Sequence, residues 1–152
     1  MKFIHLSKVN NITTLHPNIS KLIIHGWENT SIPRISFAPT IDQCIIALNV
    51  LGYQFITGNN FIDYNIYTPK SKLDEKYCIS NEEINTKKYC YDSHITGESW
   101  YLTKCPVENI GKVRIYKNII KSVEFKPLCV GNKNWLLPNG NIITHFLKYE
   151  VL

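Results

Sequence analysis

Residues 40–51, TIDQCIIALNVL, carry the clearest helical period in the chain. Ile41, Cys44, Ile45, Leu48 and Leu51 recur every three or four positions, which gathers them on one face of a helix. Thr40 stands at the N-cap, and Gln43 follows three residues later in the capping-box position. Asp42 lies in the first turn, where the helix dipole favours negative charge. Gly52 closes the segment. The other apolar segments follow a different period. In residues 59–70, NNFIDYNIYTPK, Ile62, Tyr64 and Ile66 alternate with Asp63 and Asn65, which predicts a strand with one apolar and one polar face. KFIHLS (2–7), RISFAP (34–39), SWYLTKC (99–105), KVRIYKNII (112–120) and KSVEFKPLCV (121–130) are further strand candidates. Residues 10–20 read as loop, with Pro17 restricting the residue before it. Residues 21–34 read as irregular, and the polar stretch 71–91 as loop with a short surface helix around NEEINTKK. The tail turns at residues 138–140 and ends in an apolar strand or helix. An order of strand, strand, helix and then mostly strands predicts an α+β fold rather than a doubly wound parallel sheet.

With 152 residues and 44% hydrophobic content, the chain suits a single domain, residues 1–152, around one core. The net charge of +5 fits an anionic partner such as a dinucleotide or nucleic acid. It also fits a chain rich in Ile, Asn and Lys with no selection for binding. Only two arginines occur, Arg34 and Arg114, and the lysines are scattered, which weighs against nucleic acid as the main partner. The five cysteines include no C-x-x-C pair, and the histidines show no metal-ligand spacing to one another, so no metal site is expected. Free thiols fit a reducing compartment. The N-terminus is too short and too polar in its apolar patch for a signal peptide, and no apolar run reaches the length of a membrane span. These features predict a cytoplasmic protein with no membrane partner.

Three polar positions sit on or beside strand candidates: His5 inside FIHLS, Arg34 and Ser36 inside PRISFAPT, and Glu98 in TGESWYL, with Tyr64 and Tyr67 on the strand between. This order resembles the ADP-ribosyltransferase-like superfamily. That group includes diphtheria-toxin-type enzymes, RNA 2′-phosphotransferases, and small phage and bacterial ADP-ribosyltransferases, some of them anti-CRISPR proteins. FIHLS is similar to the first element, RISFAPTIDQCIIAL to the strand-to-helix second, and TGESWYL to the third; together they span about residues 2 to 115. The resemblance implies a split β-sheet with few helices, NAD as cofactor, and transfer of a single ADP-ribose to a macromolecule, most simply a protein. It implies catalytic roles for Glu98 and His5, and cofactor contacts from His5, Arg34, Ser36, Tyr64 and Tyr67. The chain departs from the family in having no second acid or glutamine two residues before Glu98, and no Ser-Thr-Ser triplet. Arginine as acceptor typically goes with the paired acid, so another acceptor is expected.

Chemistry explains why such residues would be needed. Cleaving the nicotinamide–ribose bond creates an oxocarbenium-like centre, which a preorganised carboxylate in a dry site stabilises. His5 would hold the ribose, Arg34 would grip the pyrophosphate with its planar fork, Ser36 would line the nicotinamide pocket, and Tyr64 or Tyr67 would stack on nicotinamide. Each position also has a plainer reading: His5 as a structural histidine, Glu98 as a turn carboxylate, Arg34 as a surface cation, and Tyr64 and Trp100 as core. A mobile-element effector that modifies a host target is one setting for the enzyme reading. A non-enzymatic inhibitor module on the same fold is the alternative, and a nucleic-acid-processing enzyme a further one.

Overall fold

The computed structural model describes residues 3–19, 28–49, 61–90, 93–116 and 149–152. It is an α+β fold of two antiparallel sheets with few helices. The strands are β1 (His5–Ser7), β2 (Thr14–Leu15), β3 (Ile35–Phe37), β4 (Phe61–Pro69), β5 (Cys78–Ile79), β6 (Ser99–Tyr101), β7 (Cys105–Tyr116) and β8 (Tyr149–Val151). The helices are α1 (Ile41–Asn49), α2 (Asn81–Thr86) and α3 (Ser93–Thr96), with a 3₁₀ turn at Glu75–Tyr77.

The long β4–β7 pair is the spine of the first sheet, running from Phe61 opposite Tyr116 to Pro69 opposite Val107. β1 flanks β4, while β2 and β8 pair with β7. Ile66 faces Gly111 and Tyr67 faces Asn109, so Ile110 is an extra residue in a β-bulge. Gly111 has φ +146 there, a conformation that L side chains rarely adopt. The second sheet is β3–β6–β5. The two sheets meet where the chain enters β1: Ile4 and Ala38 exchange both backbone hydrogen bonds, each 2.9 Å.

Alternation sorts the side chains into three cores. Ile4, Leu6, Tyr64, Ile66, Val113 and Ile115 take one face of the first sheet and pack with Cys44 and Ile45 of α1. The opposite face carries Tyr67 and Val107, which meet Ile35, Phe37 and Tyr101 of the second sheet. Ile84, Cys90 and Trp100 form a third cluster that includes α2.

The predicted helix is observed as α1, capped as expected: the Gln43 backbone N–H donates to Thr40 Oγ1 at 3.2 Å. Leu48 is only partly buried against the first core. The expected ends of that helix, Leu51 and Gly52, lie outside the described residues, as do the strand candidate at 121–130 and the turn at 138–140. Three expectations change. β2 forms inside the stretch read as loop. β4 is buried on both faces at its centre: Asn65, on the face read as polar, is covered by the segment from Ser7 to Asn10, and Tyr67 by the second sheet. The 71–91 stretch does contain its helix, α2, but also supplies β5 and the fully buried Ile84.

Candidate functional site

His5 on β1, Ser36 on β3 and Glu98 just before β6 lie on or beside strands that neighbour one another in space. β1 touches the end of β3 through the Ile4–Ala38 bridge, and β3 pairs β6 with Ser36 opposite Trp100 and Phe37 opposite Ser99. Glu98 immediately precedes that last pair. β1 and β6 therefore stand two strand spacings apart, about 10 Å.

On β1, Leu6 pairs Ile66 and faces α1, so His5 lies on the other face, opposite Tyr67 in register. Its half-buried ring meets Phe37 edge-on, with centroids 6.2 Å apart. His5 Nδ1 lies 3.1 Å from the Ser36 carbonyl oxygen. A carbonyl can only accept, so Nδ1 carries the hydrogen. Burial holds the imidazole pKa below its ordinary value of 6.5, and the bond to Ser36 opposes this less strongly. The ring is then the neutral Nδ1–H tautomer, and its Nε2 lone pair is an acceptor. The contact uses the Ser36 main chain. The Ser36 side chain lies on the face away from Ile35 and Phe37, so its hydroxyl is not what holds His5.

Glu98 is 9% exposed. Its backbone is fixed from two directions. On one side Gly97, with φ +62, presses so closely on α1 that an added Cβ would collide with the Gln43 side-chain amide and lie 3.2 Å from Pro39 Cδ. On the other, Asn81 of α2 donates from Nδ2 to the Glu98 carbonyl at 2.9 Å and to the Ser93 carbonyl at 2.7 Å. Asn85 Nδ2 donates to Asn81 Oδ1 at 3.0 Å, and the buried Ser93 hydroxyl lies 2.6 Å from Asn85 Oδ1. Such a half-buried network, anchored on the buried Ser93, favours one arrangement, because breaking it leaves the Ser93 side of it away from water.

The remaining predicted contacts, Arg34, Tyr64 and Tyr67, are buried and closed to a cofactor. Arg34, 6% exposed, is committed elsewhere. Its guanidinium pairs with Glu28 at 2.6 Å, donates to the Asn29 and Ile32 carbonyls at 2.9 and 3.1 Å, and lies 4.0 Å from the Trp100 ring centroid. Three of its five N–H donors are spent inside the protein, and its burial leaves the fork no open face for a pyrophosphate. Tyr64 packs with the α1 core on the face opposite His5, and burial raises its phenol pKa. Tyr67 is next to His5 but sealed, 0% exposed; its hydroxyl donates to the Val9 carbonyl and accepts from the Ile12 N–H. It is a wall behind His5 rather than an open stacking surface. Trp100, 1% exposed, stacks on Tyr89 and is a core anchor.

The Asn81–Asn85–Ser93 network was not anticipated, yet part of it has a sequence signal. Ser80-Asn81-Glu82-Glu83 is a capping-box pattern, and Ser80 Oγ accepts from the Glu83 N–H at 3.2 Å. No helix among the described residues is long and apolar enough to cross a membrane. Comparison with protein-family profiles, curated proteins and solved structures gives no match.

Proposed function

We propose that the chain is a NAD-dependent mono-ADP-ribosyltransferase that modifies a macromolecule, a protein in the first instance, in the cytoplasm. The observation that carries this reading is the neutral Nδ1–H His5, held on Ser36 two strand spacings from the enclosed Glu98. A ribose ring is polyhydroxylated and small enough to be met from both sides. His5 Nε2 accepts a hydrogen bond from one ribose hydroxyl and fixes the ring. The Glu98 carboxylate accepts from another and lies against the carbon that becomes positive. The C1′–N bond breaks with its electron pair leaving on nicotinamide, and the acceptor then bonds to C1′ and loses a proton. An ionised carboxylate preorganised in a dry site stabilises that charge most strongly, which gives the low exposure of Glu98 a use.

Arg34, Tyr64 and Tyr67 have structural work in this reading, so nicotinamide and pyrophosphate are held by other groups. The lone glutamate, with Thr96 and Gly97 before it, favours an acceptor other than arginine. The target would meet the exposed segment around the 3₁₀ turn, where Lys72, Asp74, Glu75 and Lys76 face solvent. The test is to incubate the purified protein with NAD labelled in the adenylate and a host lysate. A labelled macromolecular band that disappears with Glu98→Gln supports the reading. No labelled band from the folded wild type refutes it and leaves the binding-module alternative.

A further inference from the structure

Glu98 follows the short helix α3 after a single residue, Gly97, which is left-handed. From the α2 side a side-chain amide, that of Asn81, holds its main chain. Asn81 spends both Nδ2 hydrogens on two carbonyls, Ser93 at the start of α3 and Glu98 just before β6, and so ties the two ends of the α3–Gly97 segment together. Its own oxygen is held by Asn85, whose oxygen is met in turn by the Ser93 hydroxyl. The Ser93 carbonyl also accepts from the Gly97 N–H at 2.8 Å. The loop closes on itself, and one of its corners is the residue that carries the candidate carboxylate.

We infer that Asn81 is a positioning residue that sets where the Glu98 carboxylate stands, and that it governs the rate of bond cleavage without touching NAD. This rests on the transferase reading of the same site. It assigns to α2 a role in turnover rather than in cofactor affinity. A small displacement of a reacting group is costly to rate, on the order of 100-fold for about 1 Å.

The experiment measures kcat and KM for nicotinamide release from NAD by wild type, Asn81→Ala, Asn81→Asp, Glu98→Gln and the double variant Asn81→Asp with Glu98→Gln. Asp keeps the shape of Asn and suits the first turn of a helix, but it cannot donate to either carbonyl. It therefore carries the test if the Ala variant does not fold. The expected result is a fall in kcat of roughly 100-fold with KM for NAD unchanged. Once Glu98 is Gln, the Asn81 change should cost nothing more, because both act through one group. An unchanged kcat, a loss confined to KM, or losses that multiply in the double variant would overturn the inference. If the wild type releases no nicotinamide, the transferase reading fails by itself. Positioning is then decided by ¹³C relaxation of the Glu98 side chain in wild type and Asn81→Ala, or Asn81→Asp if the Ala variant does not fold. Positioning expects greater side-chain motion in the variant; equal motion overturns it.

Discussion

Replacing Arg34 with Met separates two roles that the sequence alone left open for this residue. If Arg34 gripped a pyrophosphate, its loss would raise KM for NAD and leave the fold intact. The structure gives it four partners inside the protein instead: the Glu28 carboxylate, the Asn29 and Ile32 carbonyls, and the Trp100 ring. Met keeps much of the length and apolar contact but none of the donors. Breaking a buried ion pair by removing one partner costs about 3–5 kcal/mol. Glu28 keeps a side-chain exposure of 33%, so water recovers part of its share and the lower end applies. Losing the charged donors to two carbonyls adds to this without summing fully, since the groups form one cluster. The expected loss is about 3–4 kcal/mol, a large part of the ~5–15 kcal/mol that holds a domain of this size. Arg34→Lys should also lose stability, because one ammonium cannot reproduce a planar fork that reaches three acceptors. Urea unfolding followed by circular dichroism measures both, with the slope checked for constancy. A loss below about 1 kcal/mol for Arg34→Met would refute a structural role for the guanidinium, since changes that small are ordinary at the surface.

Gly97→Ala should destabilise the fold by more than the roughly 1–2 kcal/mol of left-handed strain, because its methyl group would also strike Gln43. Adding Gln43→Ala should restore the steric part only, and thermal melts of the three variants would show it. Ile45, 1% exposed, should cost roughly 2–5 kcal/mol when cut to Ala, read by urea unfolding. His5 gives a pH signature. Its folded pKa lies below the ordinary 6.5, so the unfolded chain binds the extra proton. Its contribution to stability is therefore full above pH ~6.5 and declines as pH falls toward the folded value. His5→Asn should flatten that part of the stability–pH curve, and an unchanged curve would mean that the imidazole is not held neutral.

The legible parts of this fold were those whose signal is local. The α1 period, its Thr40 cap and the β3, β4 and β6 strands all follow from neighbouring residues. What escaped was set by distant contacts. Asn65 reads as a solvent-facing polar residue, but its Nδ2 lies 2.9 Å from Asn10 Oδ1 and its Oδ1 accepts from Asn109, both far along the chain. Arg34 looks the same in sequence whether it faces a ligand or Trp100. The meeting of His5 with Ser36 depends on one bridge at Ile4 and Ala38, which no periodicity predicts. Asn81 lies in an ordinary polar run, and only the turn from Ser93 to Glu98 gives its amide something to hold.

Release of nicotinamide from saturating NAD, followed side by side for wild type and Glu98→Gln, tests the proposed chemistry most directly. The wild type should release it steadily, and the variant should stay folded with NAD binding retained while the rate falls by about 10²–10³, as for other preorganised charge-stabilising groups. Equal rates from the two folded proteins, or no release from the wild type, would contradict it.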